Sequence, residues 1–299
     1  MKDLVVCNFN VVMLLSVVLG LVLPGLEYLP KSSAIILISI AIFFSCSNVT
    51  MDELRHTNVK SSVVFYIVRF LFFPVPLYYA ALYLVPDYAM GVLLIACTPV
   101  GASATSVAVL IRANSSLALS ATVITNALAP FVTPSLIFLL GNDAIEINIA
   151  QLFMTLGLGI FLPAALYFGV VRKYEVLKTY VRREARFFST VCIAGMIAVV
   201  TALEKDYILN NIGEVFYMTL VGSVLFALLY AVSWVFSLRM GLVDRKTYMV
   251  CSGVNNTGIS SGLALLYFSP VTVLFTIVAE IPWILGVLVL KKYADYCDE

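Results

Sequence analysis

Apolar residues run through this chain in long continuous blocks separated by short polar stretches, without sustained alternation at every second position. A bilayer core takes about 20 apolar residues per helix. The blocks supply ten candidate spans, roughly 8–27, 32–49, 61–83, 88–111, 115–140, 147–171, 187–203, 214–238, 247–268 and 270–290. Alternating strands of a β-barrel do not read this way. Composition agrees: 62% of the 299 residues are hydrophobic and 12% charged, which fits an integral membrane protein and not a soluble domain of this size. The pattern therefore predicts an all-α, ten-helix membrane protein.

Charge sets the orientation. Counted over loops in this register, fifteen of the 18 Lys and Arg fall on the side of the N-terminus, Lys31 and Lys205 fall on the other, and Arg69 lies within a span. By the positive-inside rule both termini face the cytoplasm of a cell (inner) membrane. The basic stretch RKYEVLKTYVRREAR between spans six and seven reads as a topology determinant, so no nucleic-acid partner is indicated. The first span has no cleavage pattern after it and is kept as a helix. Cys7, Cys46, Cys97, Cys192, Cys251 and Cys297 show no CxxC spacing, and the single histidine, His56, lies in a cytoplasmic loop, so neither a disulfide framework nor a metal site follows.

Ten spans divide into five and five, residues 1–143 and 144–299. An odd number per half inverts the second half relative to the first. The polar interruptions match: ACTPVGASATS in span four and CSGVNNTGISS in span nine each follow an aspartate, and Gly101 and Gly258 are 157 residues apart, as are Asp87 and Asp244. Backbone that leaves the helix at membrane depth survives only where protein or a cavity covers it. Pro99 and the glycines therefore predict that helices four and nine break mid-membrane and turn half-helix N-termini toward a dipolar or anionic substrate. The plainer alternative is helix packing through Gly258-x-x-x-Gly262. GISSG also matches a nucleophile elbow, but that motif needs a strand, a turn and a histidine base, so an enzyme is not expected. Two charges remain inside spans, Arg69 and Glu280; they either pair with each other or serve a binding centre.

Several of these stretches resemble the bile acid:sodium symporter family. The resemblance is carried by VLLIACTPVGASATSVAVLIRANSSLALSATVITNALAPFVTPSL, by NVTMDELRHTNV before span three and by CSGVNNTGISSGLAL in span nine, and it covers essentially the full chain. It implies an inverted repeat with broken, crossing helices four and nine. Spans 1, 2, 6 and 7 would form a panel domain, and spans 3–5 and 8–10 a core. It also implies alternating access for organic anions such as bile acids, steroid sulfates and small carboxylates. The family's sodium ligands carry over poorly. Its span-nine glutamate falls on Cys251, its glutamine on Asn255, and the span-three glutamine on Arg69. Its Ser-Asn pair falls on Ala104 and Thr105, flanked by Ser103 and Ser106. The span-five serine falls on Ser120, with Thr125 or Asn126 nearby, and Asn256 is retained where members contact substrate.

The expectation is a secondary transporter of a small organic anion, uncoupled from the family's two sodium ions because Arg69 stands in for a cation. Arg69, Thr98, Gly101, Ser103, Thr105, Asn255, Asn256, Thr257 and Gly258 are the candidate substrate contacts. Ser106, Ser120, Thr125, Asn126, Cys251 and Glu280 are the ion-coupling candidates. The alternatives are sodium or proton symport through Glu280, and a membrane receptor or sensor. No organic cofactor is implied, and the partners are the anion and the lipid bilayer.

Overall fold

The computed structural model describes residues 9–48, 59–101, 103–141 and 148–298. The segment around His56 and the boundary between the two predicted halves lie outside them. Among the described residues the chain is all-helical, without a strand. The helices are α1 (Phe9–Val22), α2 (Ser32–Ser45), α3 (Val59–Tyr66), α4 (Pro74–Leu84), α5 (Ala89–Cys97), α6 (Ala104–Leu110), α7 (Ser115–Leu140), α8 (Ile149–Gly169), α9 (Glu175–Leu203), α10 (Lys205–Asn210), α11 (Ile212–Phe236), α12 (Leu242–Gly253), α13 (Thr257–Tyr267), α14 (Pro270–Val278) and α15 (Glu280–Asp298). Among the described residues six stretches are long and apolar enough to cross a bilayer: Val63–Leu84, Ser115–Leu140, Ala150–Lys173, Glu175–Leu203, Ile212–Phe236 and Pro270–Cys297. Four shorter apolar helices, Val11–Val22, Ser32–Ser45, Pro86–Cys97 and Thr257–Tyr267, fall in the remaining four predicted spans.

The chain forms two compact units. The first comprises Met1–Thr50, Ile147–Ile212 and Gly258–Ile277. In it α9 packs along α1 and α2, and the fit is close enough that a Cβ on Gly20 would lie 2.7 Å from Cβ of Thr201. Tyr167, Val171 and Val181 form a small core with Phe43 and Phe44, and Phe44 stacks on Phe188 at 4.9 Å between ring centroids. That core explains a departure from the sequence reading. The basic stretch after span six is not a loop, because α9 starts at Glu175. Val181, Glu184 and Ala185 share its buried face while Arg182, Arg183 and Arg186 stay exposed, and Lys178 pairs with Glu175 at 3.1 Å. An amphipathic helix end carries the positive charge.

The second unit comprises Met51–Glu146, Gly213–Thr257 and Val278–Glu299. Span three is interrupted by a π-helical segment, Ile67–Phe72, ahead of Pro74 and Pro76. Phe73 N–H reaches back five residues to Val68 O at 2.9 Å, so the chain gains an extra residue where proline would otherwise leave carbonyls unpaired. The aromatic trio Phe65, Phe236 and Tyr248, with centroids 4.7–5.4 Å apart, fixes this helix against α11 and α12. Span ten is also interrupted, at Ala279 between α14 and α15, three residues ahead of Pro282. Lys246, assigned to a loop from sequence, lies in the second turn of α12 and is 1% exposed.

Candidate functional site

The predicted interruptions of spans four and nine are both present, and they meet. Pro99 disfavours the helical region for the residue before it, and Thr98 accordingly adopts φ −70°, ψ 146° at the end of α5. The chain resumes helix at Ala104. In span nine α12 ends at Gly253 and α13 begins at Thr257. The two extended pieces pair as an antiparallel bridge between Val100 and Asn255. Gly101 N–H donates to Val254 O at 2.7 Å, and Asn256 N–H to Pro99 O at 2.8 Å. The approach requires glycine at 101, because a Cβ there would sit 2.8 Å from Asn255 O.

Every helix end leaves backbone groups without helical partners, and in a membrane interior each needs another. Side chains supply them here. Ile95 O accepts from Asn255 Nδ2 at 2.7 Å and from Thr98 Oγ1 at 2.9 Å. Ala96 O accepts from Arg69 Nη1 at 2.8 Å, and Cys97 O from Thr133 Oγ1 at 3.1 Å. Past the break, Val100 is held on both sides by α7: its N–H donates to Thr125 Oγ1 at 3.0 Å, and its carbonyl accepts from Asn126 Nδ2 at 2.9 Å.

Arg69 joins the two breaks. Its guanidinium is fully buried. It donates through Nε to Ser252 Oγ at 2.7 Å, through Nη2 to Ser252 O at 2.7 Å and to Asn255 Oδ1 at 3.3 Å, and through Nη1 to Ala96 O. Its face rests 4.6 Å from the centroid of Phe70. Four of its five N–H groups are thus engaged by the chain. Ala96 and Ser252 stand at the C-terminal ends of α5 and α12, the ends that carry partial negative charge. Arg69 is therefore a shared positive cap for two half-helices. Among the described residues no ion pair joins it to Glu280. Glu280, 5% exposed, instead has the Thr257 hydroxyl as its hydrogen-bond partner.

Of the sequence candidates, the crossover brings together Arg69, Thr98, Gly101, Thr125, Asn126, Asn255 and Asn256, with Thr257 and Glu280 as a second pair. Cys251 is fully buried in α12, one residue before the Ser252 cap. Ser103 and Thr105 are half-buried at the start of α6, and Ser106 is exposed. Ser120 donates back to Ser116 O within α7, and Gly258 is buried in the first turn of α13. Two residues escaped the sequence reading. Ser252, inside the quoted polar stretch, also donates to Leu229 O. Thr133 had only its place in TPS as a signal.

Two comparisons bear on this arrangement. YocS of Bacillus subtilis (strain 168), an uncharacterized sodium-dependent transporter, is 23% identical over 274 residues, covering 89% of this chain and 84% of YocS. The profile of the Sodium Bile acid symporter family matches residues 34–211. That match takes in the α5–α6 break, Arg69 and the α7 side chains that hold Val100, and the chain, a multi-pass membrane transporter by this kinship, belongs to the Sodium Bile acid symporter family.

Proposed function

We propose that this protein is a secondary transporter that moves a small organic anion across the cell (inner) membrane by alternating access, without the two coupled sodium ions of its relatives, and that Arg69 stands in for a cation at the crossover. Ten spans in two inverted halves, cytoplasmic termini, a panel of spans one, two, six and seven and a core of the remainder all belong to this reading. One observation carries it: the buried guanidinium bridges the negative ends of both broken helices, through Ala96 O and Ser252 O. A bound metal ion there would neutralise the same carbonyls. A guanidinium does so permanently, because it keeps its charge at all physiological pH and stays tethered to the chain. It therefore neither dissociates nor travels, and a sodium gradient has nothing at this place to act on. The replacement of the family's carboxylate by Cys251 fits the same charge balance. Asn255, Asn256, Thr257 and Gly258, together with Thr98, Gly101, Ser103 and Thr105, are the candidate contacts for the anion.

The test is a thermal-shift screen of carboxylates and sulfonates on the purified protein, with and without sodium, repeated on Arg69→Gln. A ligand that stabilises the wild type in sodium-free buffer and is lost in Arg69→Gln supports the reading. Uptake into vesicles that climbs steeply with a sodium gradient defeats it. In that event the buried carboxylate of Glu280, and kinship with a transporter described as sodium-dependent, favour sodium symport through Glu280.

A further inference from the structure

Glu280 is a second buried charge that the Arg69 argument leaves unused. It is the first residue of α15, directly after the interruption at Ala279, it is 5% exposed, and the hydrogen bond it receives comes from Thr257, the first residue of α13. Besides Thr257 of α13, α12 and α11 pack against α15. On α11, a Cβ added to Gly222 would lie 3.0 Å from Pro282 Cγ, and Tyr230 lies against Gly286. Their titratable and charged groups are Asp244, Arg245, Lys246, Tyr248 and Cys251 on α12, and Glu214, Tyr217 and Tyr230 on α11. Among the described residues no ion pair joins any of them to Glu280, whose carboxylate is buried and accepts from Thr257. Farther along α15, Lys291 and Lys292 are exposed.

A carboxylate so enclosed, with no ion pair to it among the described residues, is costly as an anion. An organic anion arriving at Asn256 and Thr257 would add a like charge next to it, which favours the protonated acid further. We infer that Glu280 takes up one proton when the anion binds and gives it back when the anion leaves, so that the protein carries an anion and a proton together. As the ion, Glu280 claims the Thr257 hydroxyl; as the acid, it releases that hydroxyl to the incoming anion. One negative charge and one proton then cross per cycle, and the step is electroneutral. This inference rests on the Arg69 reading, which leaves the carrier without another coupling ion.

The test uses the full chain, in nanodiscs and in liposomes. Infrared difference spectra between about pH 5 and about pH 9 show a buried carboxylic-acid band that base removes from the wild type and that Glu280→Gln lacks. A titrating band that survives Glu280→Gln unchanged, or no titrating band in the wild type, overturns the inference whatever the anion. Should Glu280→Gln not fold, Thr257→Val keeps the carboxyl and moves the pH midpoint of the band; an unmoved midpoint overturns the inference. Transport is read with taurocholate, whose sulfonate stays ionised throughout. An inward gradient of about one pH unit drives about tenfold accumulation in the wild type for one proton per anion. Glu280→Gln loses that accumulation, and gradient-driven accumulation by Glu280→Gln overturns the inference. Wild-type uptake that needs sodium counts against the Arg69 reading; in that event, or if the wild type moves no taurocholate, the infrared result decides on Glu280.

Discussion

At the scale of single residues the second unit is built around close approaches that only glycine permits. The ring of Tyr230 lies against Gly253, where an added Cβ would collide with it, and against Gly286, where an added Cβ would sit 2.8 Å from its Cε2. The Tyr230 hydroxyl is buried with no hydrogen-bond partner among the described residues. A donor in that condition costs about 1–3 kcal/mol, so Tyr230→Phe leaves stability unchanged or raises it in thermal unfolding of the detergent-solubilised protein. Gly253→Ala forces the ring out and lowers stability by about 1–3 kcal/mol, as overpacking does. The double variant with Tyr230→Leu recovers most of the loss; a double no better than Gly253→Ala alone sinks the steric account. In the first unit, Glu204 follows the end of α9 outside the spans. Burial raises its pKa above its ordinary value of 4.5, and Lys31 opposes the rise. A raised folded-state pKa gives stability that is present below the ordinary value and lost as pH rises through the raised one. Glu204→Gln therefore stabilises the protein near pH 7, and the gain disappears near pH 4; a gain equal at both pH values counts against the assignment.

At the scale of elements, the crossover is two short extended pieces standing where helix should be, and its stability lies in the side chains that replace helical hydrogen bonds. Asn126 holds both Val100 O and Thr122 O, at 2.9 and 2.8 Å. Asn126→Leu is nearly isosteric but leaves Val100 O unpaired at a cost of about 1–3 kcal/mol. Faster hydrogen exchange at Val100, Gly101 and Asn256 than at the centre of α7 is the accompanying result, and unchanged exchange there removes Asn126 from this role. The breaks themselves were legible in the sequence, because Pro99 and Gly101 in one span and Gly253, Asn255 and Asn256 in the other cannot sit comfortably in an unbroken helix. How the pieces meet was not legible. The partners of Ala96 O and Ile95 O, Arg69 and Asn255, are 27 and 160 residues away in the chain, and no local pattern records such distances. Arg69 stands out in the sequence as a charge in hydrocarbon, yet nothing local marks it as a cap for C-terminal ends, since its partners lie on other helices. The basic first turns of α9 misled for the opposite reason: positive charge suggested loop, while Val181 and Ala185 on one face made it helix.

At the scale of the whole molecule, helix length and loop charge bear differently on the number of crossings. At 1.5 Å per residue, the 14 described residues of α1 and the 14 residues of α2 each reach about 21 Å, well short of a hydrocarbon core of about 30 Å. Such helices cross only with help from flanking residues or a locally thinned bilayer. If either one fails to cross, the parity changes and the charge bias of the loops no longer sorts to one side. The distribution of Lys and Arg argues that both cross or neither does, because only an even count gathers at least fifteen of the 18 on the side of the N-terminus. Reporter fusions decide between length and charge. Alkaline phosphatase, active only outside the cytoplasm, is expected to be active when inserted after Lys31 and inactive when fused after Glu299, and green fluorescent protein is expected to fluoresce at the C-terminus. Phosphatase activity both at the C-terminus and after Lys31 means an odd number of crossings and breaks the inverted-repeat reading, because the α5–α6 and α12–α13 breaks then lie in halves of unequal span number; activity at the C-terminus alone means an inverted chain or a first helix that does not cross.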